Sequence, residues 1–350
     1  MPRPRSTPTR RALPWLSALS ALATLLSCTE PTDDDSTSRP PPPISPLAAD
    51  PIVLAAGDIA GCDHEGDLLT AALIQSIPEA TVLTLGDNAY ERGTLADYTN
   101  CYEPGWGQFK ARTRPALGNH EYQTGNANGS FDYFGDAAFG NSRPDGYYSF
   151  DLGAWHVVVL NDNPPKVAIG AGSAQYKWLR GDLSATRKEC VLAVWHQPRF
   201  YSTYSGSPGV VSSRKPLWQL LYSARADLLL HGHHHFYERH APQDPDGRAS
   251  ADGIRQIIVG TGGFDTWGTP TVPSPNTQVV HGGTQVFGVL KVTLSTQSYA
   301  WEFLPVGQNT FTDAGTETCR GSGASAARST ATWTAEVGRA SCRERVCWIV

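Results

Sequence analysis

The sequence predicts a layered α/β domain, and two observations lead to that prediction. Short apolar runs typical of buried strands alternate with segments of helical spacing between residues 51 and 230. Several of these strand runs end directly in polar residues, and α/β folds bind their ligands at the carboxyl ends of strands. With 40% hydrophobic and 10% aromatic residues among 350, the chain has enough apolar material for a large core.

The predicted elements follow in chain order. The first part contains strands over 52–56, 81–85 and 114–117, with a helix over 68–77. The middle part contains strands over 155–160, 191–195 and 228–230, with helices over 174–185 and 217–223. The last part contains three strands without intervening helices, over 254–259, 286–294 and 299–304.

Composition excludes several classes of protein. The formal net charge is −5 and no basic stripe is present, which argues against a nucleic-acid-binding surface. Abundant aromatic and β-branched residues exclude disorder as the default state. The 26 prolines and the lack of a heptad pattern exclude a coiled coil.

The two ends of the chain differ from its body. Residues 1–28 combine a basic start, an apolar run over 12–26 and a small residue, Ser27, which together predict an export signal. The stretch Leu25-Leu26-Ser27-Cys28 resembles a bacterial lipobox, so we expect a lipid on Cys28; ordinary cleavage nearby is the alternative. Residues 29–50 are rich in Pro and Asp and predict an extended linker. Residues 321–350 predict a disordered or foreign tail.

Polar residues capable of binding metals follow five predicted strands. Each alone has an ordinary interpretation as a turn, a cap or a half-buried imidazole. Together they would place many desolvated polar groups at one sheet edge, which is costly unless a cation neutralises them. An extended strand would direct His233 and His235 to the same side. The strand-end residues are Asp58, Asp87, Asn119, His196 and the pair His233 and His235.

These residues lie in five ordered motifs that resemble those of calcineurin-like metallophosphoesterases, most closely the purple acid phosphatase branch. The motifs are Gly57-Asp58, Gly86-Asp87-Asn88-x-Tyr90, Gly118-Asn119-His120-Glu121, His196 and Gly232-His233-x-His235-x-Tyr237-Glu238-Arg239. The resemblance spans residues 51–320. It implies a four-layer α/β/β/α sandwich that carries two metal ions in a shared site.

The resemblance also implies a ligand set. It assigns Asp58, Asp87, Tyr90 and His235 to the first metal. It assigns Asp87, Asn119, His196 and His233 to the second metal, with Asp87 bridging. The hard phenolate and carboxylate donors suit iron at the Tyr90 site, and the other site suits Fe, Zn or Mn. The wider superfamily has a His where this chain has Ala60, and Tyr90 compensates in the purple branch; a packing role for Tyr90 is the alternative.

Two cations in such a site would lower the pKa of a bridging water and hold the phosphate of a small phosphorylated substrate. His120 is then the candidate catalytic residue that stabilises the transition state or protonates the leaving alcohol, or else it orients a ligand. Glu121 and Asp162 are candidate supporting carboxylates. We expect an exported acid phosphatase-like phosphomonoesterase. A phosphodiesterase or nucleotide hydrolase on the same site, and a non-catalytic surface lipoprotein, are the alternatives; the oligomeric state stays open.

Four cysteines remain in the body of the chain, and an even count in an exported protein suggests disulfides. Cys62 and Cys101 each follow a strand that bears a candidate ligand, so they are candidates for a bridge beside the site. Cys190 and Cys319 have no evident partner in the sequence. His234 lies between two candidate ligands on the predicted strand, so we expect it to face away from the metals, toward solvent or a supporting residue.

Overall fold

The computed structural model describes residues 49–140, 145–283 and 286–321. The predicted export signal over 1–28 with Cys28, the linker up to residue 48 and the tail from residue 322 lie outside the described residues. Within the described ranges, none of the helices combines the length and the apolar character needed to cross a membrane.

The strands of the described residues fall into two large sheets and one small hairpin. In chain order they are β1 (Ile52–Ala56), β2 (Thr81–Leu85), β3 (Thr113–Ala116), β4 (Tyr148–Leu152), β5 (Trp155–Val159), β6 (Cys190–Val194), β7 (Phe200–Tyr201), β8 (Gly209–Val210), β9 (Leu228–His231), β10 (Tyr237–His240), β11 (Arg255–Val259), β12 (Thr277–His281), β13 (Gly288–Leu294), β14 (Ser298–Pro305) and β15 (Ala314–Thr318).

The helices are mostly short. They are α1 (Gly66–Gln75), α2 (Leu95–Asp97), α3 (Asn128–Phe134), α4 (Asp136–Phe139), α5 (Ala174–Ala185) and α6 (Lys215–Ser223). A π turn covers Tyr98–Tyr102, and 3₁₀ segments cover Trp106–Arg112, His120–Thr124 and Ser212–Arg214. Two helix starts are visible in the sequence: Ser173 caps α5 by accepting a hydrogen bond from the Tyr176 N–H, and Pro216 lies in the first turn of α6.

The two sheets pack face to face. One has the strand order β15-β14-β13-β1-β2-β3 and the other the order β12-β10-β11-β9-β6-β5-β4. A continuous apolar core joins residues of both sheets, including Leu54 and Leu83 from the first and Val157, Leu192 and Ile257 from the second. α1 packs against the first sheet, and α5 with α6 covers a second apolar cluster on the outer face of the other sheet. The α/β/β/α layering is therefore confirmed.

Every strand and helix predicted from the sequence is present, within a few residues. The strands β4, β7, β8, β10, β12 and β15 and the short helices were not predicted from the sequence. β4, β12 and β15 lie at sheet edges and are mostly half-buried or exposed, so they lack the continuous apolar runs that mark the central strands.

Two disulfides join the four body cysteines. Cys62 pairs with Cys101 at a Cα–Cα distance of 4.7 Å, in agreement with the predicted bridge beside the site. Cys190 pairs with Cys319 at 5.5 Å, across a separation of 129 residues. The sequence shows no evident partner for either cysteine, because only the packed sheets bring the end of β15 to the start of β6.

Candidate metal centre

Several of the predicted strand-end residues converge where the carboxyl ends of strands from the two sheets meet. Asp58 follows β1, Asp87 follows β2 and His196 follows β6. Asp58, Asp87 and His233 have the positive φ values 60°, 50° and 72°. L-residues rarely adopt this conformation, and such residues concentrate at functional sites, where the surrounding structure holds them.

The first group of side chains surrounds the Asp58 carboxylate. The Tyr90 hydroxyl lies 2.9 Å from Asp58 Oδ1, and His235 Nε2 lies 3.3 Å from the same oxygen. Tyr90 Oη and His235 Nε2 are 3.2 Å apart. Asp58 is fully buried and Tyr90 is 3% exposed. One carboxylate oxygen, one phenol oxygen and one imidazole nitrogen thus surround a single point.

The second group surrounds the Asp87 carboxylate. His196 Nε2 lies 3.0 Å from Asp87 Oδ2, and His233 Nδ1 lies 3.2 Å from His196 Nε2. Ligand atoms of these three residues lie within 4.8 Å of one another. The Tyr90 hydroxyl lies 3.3 Å from Asp87 Oδ2, so Asp87 touches both groups. Its place between them is the one expected for a bridging ligand.

Asp87 and His196 in the second group form a buried pair of opposite charge. Burial is the largest single effect and would raise the pKa of Asp87 and lower that of His196, but their attraction, their hydrogen bond and the other nearby charges together outweigh it. The pKa of Asp87 is held well below its usual range, and that of His196 rises to about 10. The leading effect on His233 is burial, which lowers its pKa to about 4 and keeps that imidazole neutral near pH 7. The buried Asp87 anion attracts a proton to His196 and would attract a metal cation in place of that proton, beside the neutral imidazole of His233.

His233 and His235 reach the centre by a different route from the one predicted. β9 ends at His231, and residues 232–236 form a tight bend rather than an extended strand. The His233 N–H donates to Asp58 Oδ2 at 2.8 Å and holds the residue in its left-handed conformation. Only glycine fits at 232, because a Cβ there would lie 2.6 Å from Asp58 Oδ2.

Asn119 and His120 lie at the solvent side of the centre. Asn119 is exposed, and its side chain makes no hydrogen bond to the described residues. The His120 N–H donates to Asp87 Oδ1 at 2.8 Å, and the His120 ring packs against Tyr90. His120 Nδ1 lies 2.6 Å from the carbonyl of Glu91, which can only accept, so Nδ1 carries the proton. His120 Nε2 then faces Asp87 Oδ2 at 4.0 Å.

The two predicted supporting carboxylates hold the backbone of the strand ends. Buried Glu121 accepts hydrogen bonds from the N–H groups of Asp87 at 3.0 Å and Gly118 at 2.7 Å. Buried Asp162 accepts from the His196 N–H at 3.2 Å and from Arg214 Nε at 3.1 Å. Glu121 therefore fixes the backbone of Asp87, and Asp162 fixes the backbone of His196.

Sequence reasoning missed the loop that follows β11. The ring of Phe264 stacks on Tyr90 with centroids 3.6 Å apart, and Trp267 stacks on His235 at 4.5 Å. Gly260 allows close approach, since a Cβ there would lie 2.1 Å from the His234 carbonyl oxygen. The sequence Gly260-Thr-Gly-Gly263 could have indicated this contact, because such glycines often mark close backbone approach.

His234 occupies a different environment from the expected one. Its ring is buried and packs beside Tyr201, Phe236 and Trp267. The expectation that it faces solvent or a supporting polar residue was wrong, because the bend over 232–236 turns it into an aromatic cluster. It does lie away from the two carboxylates of the centre, as predicted.

The donor set fits a pair of metal ions. Two buried carboxylates, Asp58 and Asp87, converge with a phenol and three imidazoles, and the described residues bring no Lys or Arg within ion-pair distance of either carboxylate. Carboxylate and phenolate oxygens suit a hard ion, and imidazoles suit divalent transition metals. The Tyr90 oxygen lies beside both carboxylates, as a metal-binding phenolate would. The exposed Asn119 side chain has no hydrogen-bond partner among the described residues.

The calcineurin-like phosphoesterase family profile matches residues 52–237, which include every residue of the centre. The chain belongs to this family. Purple acid phosphatase 15 of Arabidopsis thaliana is 28% identical over 263 residues, covering 64% of this chain and 47% of the relative. The chain thus spans about half the length of the curated relative.

Solved structures share the fold of this calcineurin-like phosphoesterase. Purple acid phosphatase PPD1 from yellow lupin seeds has a TM-score of 0.55 at 20% identity, covering 77% of this chain and 53% of that one. GAP50, described as the anchor in the inner membrane complex of Plasmodium, has a TM-score of 0.57 at 18% identity, covering 76% and 88%. The same fold thus carries a phosphatase and a protein named for anchoring, so function must be argued from the site.

Proposed function

We propose that this calcineurin-like phosphoesterase is a metal-dependent phosphomonoesterase of the purple acid type with a dinuclear centre. Asp58, Tyr90 and His235 would hold the first metal, which we propose to be iron. His196, His233 and Asn119 would hold the second, which we propose to be Fe, Zn or Mn. Asp87 would bridge the two.

The convergence of two donor groups on a shared Asp87 is the observation that supports this proposal most strongly. The Tyr90 hydroxyl is 2.9 Å from Asp58 and 3.3 Å from Asp87, and His196 is 3.0 Å from Asp87. A packing tyrosine would not need its oxygen between two buried carboxylates. A degenerate site, as in a non-catalytic lipoprotein, would be expected to lack part of this set.

The metals and the residues around them would have different roles in hydrolysis. When bound, the metals would supply an activated water and neutralise charge on the phosphate. The exposed Asn119 and the half-buried His120 lie on the side from which a substrate can enter. The proton on His120 Nδ1 is held by the Glu91 carbonyl, so Nε2 is the ring nitrogen left to exchange a proton with the leaving alcohol, and it acts as an acid when the imidazole has bound a second proton there. We therefore propose His120 as the catalytic acid.

The test compares hydrolysis of p-nitrophenyl phosphate with that of its bis ester. We expect the monoester to be the better substrate by kcat/KM, and we expect removal of metal by a chelator to abolish the activity and its return to restore it. His233→Ala should lose activity together with one metal. His281→Ala, a histidine on β12 outside the centre, is the matched control. Faster cleavage of the bis ester would indicate a phosphodiesterase, and hydrolysis of neither ester would contradict the proposal.

We also propose that the protein is exported and carried on the membrane by a lipid on Cys28. This proposal is supported by the order of basic start, apolar run and Cys28 in the sequence. Stable attachment needs two or more acyl chains. Cys28→Ala should release the protein from the membrane fraction, and an unchanged membrane fraction would contradict the lipid anchor.

A further inference from the structure

Trp267 lies at the mouth of the candidate metal centre and is 36% exposed. Its ring stacks on the imidazole of His235, with centroids 4.5 Å apart and planes 21° apart. The His234 ring also contacts the indole, at a centroid distance of 5.9 Å and an interplanar angle of 71°. A proposed metal ligand thus supports one face of a ring that stays partly exposed to solvent.

The structure holds this indole in place. The Trp267 N–H donates to the His235 carbonyl at 2.8 Å, and the Trp267 carbonyl accepts from the Gly283 N–H at 2.6 Å. The neighbouring Gly268 carbonyl accepts from the Tyr204 hydroxyl at 2.6 Å. The indole N–H makes no hydrogen bond within the described part of the chain. A large aromatic ring fixed in an exposed position beside a polar centre is typical of a ligand-binding contact.

We propose that Trp267 stacks on a planar ring in the alcohol part of the substrate, so that the enzyme prefers phosphomonoesters whose alcohol carries an aromatic base or aryl group. This inference rests on the proposed phosphomonoesterase activity. The phosphate would lie at the Asp58 and Asp87 groups. The imidazole of His235 lies between Asp58 and the indole, because its Nε2 is 3.3 Å from Asp58 and its ring stacks on Trp267. The indole is therefore separated from the phosphate position by the width of one ring, where the alcohol part of the ester would lie.

Stacking of a base on an aromatic side chain contributes a selectivity of roughly 5- to 150-fold. Adenosine 5′-monophosphate and ribose 5-phosphate form a matched pair of substrates, because both release the same kind of ribose 5′-alcohol and differ in the base. The ratio of their kcat/KM values therefore reports the contact with the base and cancels any loss common to both substrates.

The experiment measures this ratio in the wild type, Trp267→Ala, Trp267→Phe and Leu68→Ala. Leu68 on α1 is another large apolar residue, 45% exposed, and serves as the matched control. We expect a preference for the nucleotide of about 10-fold or more in the wild type and in Leu68→Ala. The preference should fall to near 1 in Trp267→Ala and be partly retained in Trp267→Phe. Metal content is measured in each variant to check that His235 still binds.

The outcomes separate this inference from the proposed function. Hydrolysis of both substrates with a wild-type ratio near 1, or a ratio that Trp267→Ala leaves unchanged, would overturn the aromatic contact while the phosphomonoesterase activity stands. If neither of these substrates nor p-nitrophenyl phosphate is hydrolysed, the proposed function fails. Calorimetric titration with adenosine 5′-monophosphate then tests the contact alone, and equal binding by wild type and Trp267→Ala would overturn it.

Discussion

The two halves of the candidate metal centre differ in how completely protein covers them. The closed half contains Asp58, Tyr90 and His235, all buried, and Phe264 and Trp267 stack on two of its rings. The open half contains His196, which is buried, and Asn119, His120 and His233, which are exposed or half-buried. Asp87 joins the halves.

This difference indicates a division of roles. In the closed half Asp58 Oδ1, Tyr90 Oη and His235 Nε2 contact one another, and the Tyr90 and His235 rings are stacked on Phe264 and Trp267. The geometry of these three atoms is therefore set before any ligand arrives, as a site that selects one metal requires. In the open half the Asn119 side chain has no hydrogen-bond partner among the described residues, and the His120 side chain is 22% exposed. We infer that the closed half determines metal identity and that the open half receives the substrate.

The largest expected effect comes from Asp87→Ala, because Asp87 serves both halves. The variant should lose both metals, and its activity should fall by more than the roughly 100-fold typical of a supporting residue. Asn119→Ala affects the open half alone, so it should retain one metal and should be more active than Asp87→Ala. Metal analysis showing two ions per chain in Asp87→Ala would falsify the bridging role.

Tyr90→Phe removes one oxygen from the closed half and keeps the ring that stacks on Phe264. If Tyr90 binds ferric iron, protein made in iron-replete medium should be pink to purple through phenolate-to-metal charge transfer, and the variant should be colourless yet folded. An absorption spectrum with parallel metal analysis is the measurement. A colourless, iron-free and fully active wild type would instead support divalent metals and a packing role for Tyr90.

Glu121→Gln tests whether the Glu121 carboxylate, which holds the backbone of Asp87, is needed for the centre. The Glu121 carboxylate accepts the N–H groups of Asp87 and Gly118 through one oxygen and that of Asn88 through the other. An amide replaces one acceptor by a donor, so we expect a loss of about 10- to 100-fold in activity or metal affinity. Glu302→Gln, at an exposed ion pair on β14, is the control. Equal activity of the two variants would show that this support is dispensable.

Phe264→Leu should have the smallest effect, because it removes a stacking partner and no metal ligand. An aromatic pair contributes about 0.5–1.5 kcal/mol beyond its buried area, so a modest loss of thermal stability is expected. Without this stacking partner the Tyr90 ring is held less firmly, so the phenolate-to-metal band should shift or broaden. The same energies correspond to a change in kcat/KM of less than about 10-fold. Phe287→Leu, at a half-buried phenylalanine outside the centre, should leave the band unchanged. An identical band in both variants would show that Phe264 does not position Tyr90.

The sequence by itself determined the central strands and the chemistry of the centre. Runs such as 52–56 and 81–85 are buried on both faces, so their apolar character alone marks them as strands. The candidate ligands directly follow these strands or lie within a few residues of their ends, and parallel strands carry their carboxyl ends to one edge. Local pattern was therefore sufficient to predict that Asp58 and Asp87 would meet, whereas His196 follows β6 of the other sheet and reaches them through the packing of the two sheets.

Only the tertiary structure decided the features that depend on distant segments. Cys190 meets Cys319 across 129 residues because the two sheets pack together. The bend at His233 exists because its N–H binds Asp58, a residue 175 positions earlier. Trp267 reaches His235 through a backbone hydrogen bond between two loops. No local pattern records such contacts, since each depends on the packing of elements far apart in the chain.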